Sequence, residues 1–174
     1  MASLHLRAAE RRAQADGGDA TLLAAARAEL DAGLAELREL ARGIHPTLLT
    51  TLGLVPAVQA LAARCAVPVE LEQDLGERLP PAVETALYYT VSEALTNVDR
   101  YARASRATVQ MRRDGDAVLV EVGDDGCGGA DRARGSGLHG LSDRLGAVNG
   151  ELELDSPPGG GTRLLARVPL NRAA

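Results

Sequence analysis

The chain has 174 residues, 45% of them hydrophobic, with 24 acidic and 19 basic side chains and a net charge of −5. That length accommodates one domain of ordinary size and an appendage. With no Phe, no Trp and three Tyr, the chain has little base-stacking surface, and its negative charge opposes phosphate-backbone contact, so direct nucleic-acid binding is not expected.

All 19 basic residues are arginine. This excludes the Walker A loop and the eukaryotic-type protein kinase, which both place a lysine on the phosphates of ATP. Cys65 and Cys127 form no C-x-x-C pair, so neither a zinc site nor a disulfide framework is expected. No apolar run approaches the roughly 18 residues of a membrane span and no signal peptide is recognisable, which predicts a soluble, cytoplasmic chain. The opening "MAS" leaves the natural N-terminus undefined.

Residues 1–45 read as helical. "LHLRAAERRAQA" is followed by a break at "DGGDA" and then by "TLLAAARAELDAGLAELRELARGI". In the latter, Leu23, Ala26, Leu30, Gly33, Leu37, Leu40 and Ile44 alternate spacings of three and four. Such a stripe must be buried, either in a hairpin that dimerises into a bundle or against the chain's own domain. Pro46 ends this helix by removing a donor and biasing His45 away from the α region. "GLVPAVQALAARC" then predicts a shorter, connecting helix within 46–66.

From residue 67 the pattern changes. "VPVELEQ" predicts a strand, and "PPAVETALYYTVSEALTNVDRYARA" a long helix with proline in its first turn. "RATVQMRR" and "AVLVEVGDD" predict strands joined across "DGD" as a hairpin. A Gly-rich polar stretch follows, then the helix "LHGLSDRLGAVNG" and the strands "ELELDS" and "GTRLLARVPL" around "PPGGG". Hairpin-linked strands with helices over one face predict an α+β two-layer sandwich.

In the long helix, Val83, Leu87, Val91, Ala94, Leu95, Val98 and Ala102 form the predicted core stripe. Tyr89, Glu93, Asn97, Arg100 and Tyr101 gather on another side, as a solvated face or as a ligand-binding one. In "AVLVEVGDDG", Asp124 shares the inward parity of Val118, Val120 and Val122. In the last strand Thr162 shares the parity of Leu164, Ala166 and Val168. A core-facing carboxylate needs a donor. Either an exocyclic amine such as adenine's supplies one, or Asp124 caps a turn.

"GSGLHG" at 135–140 fits the G-x-G-x-x-G of a dinucleotide-binding turn, with Asp155 further on. In that fold the motif directly follows a hydrophobic strand. Here it follows the polar "GGADRAR", which points away from a nicotinamide enzyme. What remains is a loop offering N–H groups at a helix N-terminus, a ready anion site.

"EALTNVDRYARA", "DDGCGG", "GSGLHG" and "GGGT" resemble, in order and spacing, the N, G1, G2 and G3 boxes of the histidine-kinase ATP-binding domain, whose fold is shared with gyrase B, Hsp90 and MutL. "ELRELARGIHPTLL" looks like the end of the dimerisation region of nitrate-sensor-type two-component kinases. The resemblance implies a truncated dimerisation and phosphotransfer hairpin over 1–45, the connecting helix over 46–66, and an ATP-binding domain over 67–174.

It further implies that Asn97 ligates Mg²⁺ on the phosphates of ATP and that Arg100 and Tyr101 lie near phosphates or ribose. Asp124 would accept from the adenine amino group with Thr162 supporting it through water, and Gly126 and Gly128 would let the backbone pass close to the nucleotide. Gly135, Gly137, Leu138 and Gly140 would form the lid and helix N-terminus beside the phosphates. Glu93 matches the acid that activates water in the related ATPases.

The implied function is the catalytic part of a sensor histidine kinase, with a response-regulator receiver domain as partner, a homodimer through the N-terminal helices, and a parent protein that is cytoplasmic or membrane-anchored. A non-kinase ATPase of the same fold is the alternative. Two departures from the family pattern stand out. Asp99 sits where a small or basic residue is usual, on a side away from the Glu93–Asn97 stripe. None of His5, His45 and His139 has the acceptor pattern of a His followed by an acid, so the register places the start of this chain just after the phosphorylation site.

Overall fold

The computed structural model describes residues 47–130 and 136–170, and the hairpin expected over 1–45 lies outside them. Two short helices, α1 (Thr47–Leu52) and α2 (Leu54–Ala62), precede strand β1 (Val69–Asp74). The long helix α3 (Pro81–Asn97) is prolonged by a π-helical turn, Val98–Ala102. Then come β2 (Ala107–Asp114), β3 (Ala117–Asp124), α4 (Ser136–Gly146), β4 (Glu151–Asp155) and β5 (Thr162–Pro169). The five strands form one sheet in the order β1-β2-β3-β5-β4. Only β1 and β2 run parallel, joined through α3; the other pairs are antiparallel.

Period-two alternation decides which face is covered. Val109, Met111, Val118, Val120, Val122, Leu164, Ala166 and Val168 are buried together with Val83, Leu87, Val91, Leu95 and Val98 of the long helix. The predicted helix stripe and the two-layer α+β arrangement are both observed. The opposite sheet face is polar. Its register aligns Asp74, Arg112, Leu119, Arg167 and Glu151 in one row across all five strands. Leu119 stays 7% exposed between the two arginines, whose long stems can shield it. Both edge strands carry acids on this face, Glu70, Glu72 and Asp74 on β1 and Glu151, Glu153 and Asp155 on β4, which discourages edge-to-edge pairing.

Two local features differ from the sequence expectation. The segment after Pro46 holds two helices rather than one. Pro56 is accommodated in the first turn of α2, where its missing N–H has no intrahelical acceptor. The six-residue α1 is too short to show a period, and it is held by a distant residue. Arg78 donates to the carbonyls of Leu49 and Thr50 at 2.9 Å each and of Thr51 at 3.4 Å. The same guanidinium pairs at 3.2 Å with Glu84, which is only 3% exposed. Leu49, Leu54, Ala57 and Val58 join the same core as the sheet residues.

The second difference lies at the end of the long helix. The α-helix stops at Asn97, and the π turn takes over to Ala102. The wider turn keeps Val98 and Ala102 in the core while Asp99, Arg100 and Tyr101 face outward.

Removing the guanidinium in Arg78→Ala leaves the Glu84 carboxylate buried without its partner and the α1 carbonyls without their donor. A loss of about 2–4 kcal/mol is expected, below the full cost of an enclosed pair because Arg78 is half-exposed. Urea unfolding of the variant checks this; a change under about 0.5 kcal/mol would contradict the role given to the pair.

Candidate nucleotide-binding site

The site begins where β3 and β5 end. Antiparallel pairing sets Asp124 directly opposite Thr162, both on the helix-covered side and both half-buried. Asp124 Oδ1 accepts the N–H of Gly126 at 2.8 Å. Among the described residues this is the one hydrogen bond to that carboxylate, so its other oxygen keeps its capacity to accept. The two sequence readings of Asp124, turn cap and ligand acceptor, are therefore compatible: one oxygen caps the turn and the other is left over.

The loop after β3 is fastened on both sides. Cys127 N–H donates to the Ala102 carbonyl at 2.7 Å, at the end of the π turn. Gly159 N–H donates to Cys127 O at 2.7 Å and Gly161 N–H to Gly126 O at 3.0 Å, tying on the β4–β5 loop. A Cβ on Gly126 would fall onto the Ala102 carbonyl oxygen, and one on Gly128, at φ +59, onto the Pro157 carbonyl oxygen. Both glycines are thus required by protein backbone packed against them. Gly140 differs, because a Cβ there meets nothing within 4 Å.

Asp125, which the sequence reading did not single out, anchors the loop from below. Its carboxylate accepts from Ser105 Oγ at 2.6 Å and from the backbone N–H groups of Ser105 at 2.8 Å and Arg106 at 3.1 Å. These donors, the Ser105 hydroxyl foremost, hold its pKa at about 2, down from 3.8. The second unanticipated residue is Ser156. Its Oγ lies 3.0 Å from Thr162 Oγ1 and accepts the Ala130 N–H at 3.0 Å. Serine in a Pro/Gly-rich turn is common, so only the tertiary pairing marks it out.

The stripe of Tyr89, Glu93, Asn97, Arg100 and Tyr101 on the long helix divides at the π turn. Tyr89, Glu93 and Asn97 are half-buried, whereas Arg100 and Tyr101 are exposed, Tyr101 by 67%. The Asn97 amide has no hydrogen-bond partner among the described residues. Arg144 of α4 stacks 4.7 Å over the Tyr89 ring and so ties α4 to the long helix. Gly137 and Leu138 fall in the first turn of α4, and Gly135 lies outside the described residues.

Asp99 turns away from this stripe: its Oδ1 accepts from Ala66 N at 2.8 Å and from Cys65 Sγ at 3.0 Å. Burial, helped by the Asp99 carboxylate, pushes the Cys65 thiol above its ordinary value. Among the described residues, no group of three or more His, Cys, Asp or Glu side chains could hold a metal ion.

Residues 82–172, more than half of the chain, match the family described as histidine kinase-, DNA gyrase B- and HSP90-like ATPases. The chain belongs to this ATPase family. Its sheet is accordingly not the parallel one of a dinucleotide fold.

Among the relatives of this ATPase domain, the signal transduction histidine-protein kinase/phosphatase DegS of Brevibacillus brevis is 30% identical over 145 residues, 79% of this chain and 38% of its own length. The nitrate/nitrite sensor protein NarX of Escherichia coli is 32% identical over 152 residues, 83% of this chain and 25% of its own. The chain thus spans well under half the length of these relatives. A solved histidine kinase domain from the Erythrobacter litoralis EL346 blue-light activated kinase superposes with a TM-score of 0.53 at 27% identity, over 66% of this chain and 56% of that one. The Acinetobacter baumannii histidine kinase AdeS, at 13% identity, shares the fold with a TM-score of 0.57 over 98% of this chain and 96% of its own.

Because its pKa is depressed on folding, Asp125 contributes stability that is complete above pH 3.8 and is lost as pH falls towards about 2. Asp125→Asn is therefore expected to be less stable than the unchanged protein at neutral pH, with the gap closing across that acid window. Urea midpoints measured along a pH series check this; a gap independent of pH would contradict it.

Proposed function

We propose that this chain is the ATP-binding catalytic part of a two-component sensor histidine kinase. The observation that carries the reading is the pairing of Asp124, with one carboxylate oxygen uncommitted among the described residues, against Thr162 beside the end of the helix that presents Asn97. An acceptor at the end of a core-facing strand suits an exocyclic amine. A half-buried amide with no partner among the described residues suits a cation held mainly by phosphates, since Mg²⁺ keeps few protein ligands at such sites.

In this reading the adenine amino group donates to Asp124, and Thr162 supports the base. Gly126 and Gly128 act indirectly, by letting the loop close against Ala102 and Pro157 so that Asp124 is held in place. Asn97 would hold the Mg²⁺, which would supply neutralisation of the phosphate charge. The exposed Arg100 and Tyr101 are available to phosphates or ribose, and the first turn of α4, with Gly137 and Leu138, presents N–H groups to the terminal phosphates.

Glu93, one turn before Asn97, would polarise the attacking group. The reaction is transfer of the γ-phosphoryl group to a histidine and then to an aspartate on a response-regulator receiver domain. Its catalysis is mainly positioning and charge neutralisation. His5, His45 and His139 lack the acceptor pattern, so the accepting histidine is proposed to lie outside this sequence. The working unit would be a homodimer through the N-terminal helices.

Asp124→Asn replaces a charged acceptor by an amide and is expected to cost ADP about 1.5–3 kcal/mol of binding free energy by calorimetry. Undiminished affinity would remove Asp124 from the adenine site. Asn97→Ala should weaken Mg-ATP strongly and adenosine hardly at all. Equal losses for the two ligands would make Asn97 a structural residue instead.

A further inference from the structure

We infer that Asp99 is a positioning residue: it pins the π turn to the connection between α2 and β1 and so fixes the Ala102 carbonyl, with the loop bonded to it, relative to Asn97. This deepens the nucleotide reading above and rests on it. The turn hydrogen bonds that continue α2 run out at Cys65, whose N–H donates to Ala62 O at 3.2 Å. The next amide, Ala66 N–H, donates instead to Asp99 Oδ1 at 2.8 Å, and the Cys65 thiol lies 3.0 Å from the same oxygen. An ionised carboxylate can only accept, so each bond has one direction. Burial, helped by Asp99 itself, raises the Cys65 pKa, so the thiol keeps the hydrogen that it donates. Neither an apolar nor a basic side chain at position 99 could accept these two hydrogens.

The π turn is thereby tied on both flanks while Val98 and Ala102 sit in the core. Towards the loop after β3, the Ala102 carbonyl accepts from Cys127 N–H at 2.7 Å. Towards α2, Asp99 accepts from Cys65 and Ala66. Asn97 is the last α-helical residue before the turn, and Ala102 is the last residue within it. A π turn is an uncommon winding, and rewinding it would shift the Ala102 carbonyl relative to Asn97. The loop from Asp124 to Gly128 would move with that carbonyl. Asp99 thus connects the segment that follows α2 with the groups that would hold a magnesium nucleotide. Such coupling is reciprocal: if the Asp99–Ala66 bond favours nucleotide binding, bound nucleotide must protect that bond.

The test compares Asp99→Ala with Asp99→Asn in the whole chain. Both remove the charge, and only asparagine keeps an acceptor oxygen for Ala66. By calorimetry, Mg-ADP should bind about threefold to tenfold more weakly to the alanine variant than to the asparagine one. That is the size of one ordinary hydrogen bond, as suits an exposed carboxylate. The Cys127 amide proton shift should move in the alanine variant and hold in the asparagine one. In the unchanged protein, saturating Mg-ADP should slow hydrogen exchange at the Ala66 amide by a similar factor. If the alanine variant fails to fold, this exchange measurement decides alone. Equal affinities for the two variants, or Ala66 exchange indifferent to bound Mg-ADP, would overturn the role of Asp99 while leaving the nucleotide site standing. No binding of Mg-ADP by the unchanged protein would overturn the nucleotide reading and this inference with it.

Discussion

Cys127 donates its backbone N–H to the Ala102 carbonyl at 2.7 Å, and this bond fastens the loop after β3 to the end of the long helix. The rest of the site hangs on it. The neighbouring Gly126 must lack a side chain, because a Cβ would occupy the position of that carbonyl oxygen. The same loop then receives the β4–β5 loop through Gly159 and Gly161, which brings Ser156 and Thr162 to Asp124. An end of the long helix placed differently would leave each of these groups without its partner. The π turn is what places the Ala102 carbonyl there while keeping Val98 and Ala102 in the core.

Two adjacent aspartates are committed to the fold to different degrees. Asp125 spends its carboxylate on three donors from Ser105 and Arg106, and those bonds lower its pKa. Among the described residues, Asp124 spends one oxygen, on the N–H of Gly126. The first is an anchor, and it lets the second keep an acceptor in reserve at the end of a core strand. Ser156 is committed in the same way as Asp125, to the Ala130 N–H and the Thr162 hydroxyl at 3.0 Å each.

Much of this was legible in the amino-acid order because it is periodic or local. The inward parity of Asp124 and Thr162 follows from counting along β3 and β5, and the structure pairs them in register. The stripe from Val83 to Ala102 follows from helical spacing and is buried throughout. Other features depend on contacts distant in sequence and have no periodic signal. Helix α1 is six residues long and is held by Arg78, which sits in a loop. The π turn leaves no mark in the apolar spacing, since Val98 and Ala102 are four apart and suit an α-helix equally well. The resemblance gives Gly126 and Gly128 the role of letting the backbone pass close to the nucleotide. What approaches them in the structure is the protein's own chain at Ala102 and Pro157, a fact visible only once the loops are folded together.

The central claim is that an adenine nucleotide sits at the ends of β3 and β5 beneath the π turn. Amide proton–nitrogen shifts followed while Mg-ADP is titrated into the labelled chain test this most directly. The account predicts saturable changes concentrated at Asn97–Ala102, Asp124–Gly128 and Gly161–Thr162. Changes concentrated instead in the groove between α2 and β1, around Gln59, Cys65 and Leu71, with the strand ends undisturbed, would contradict it.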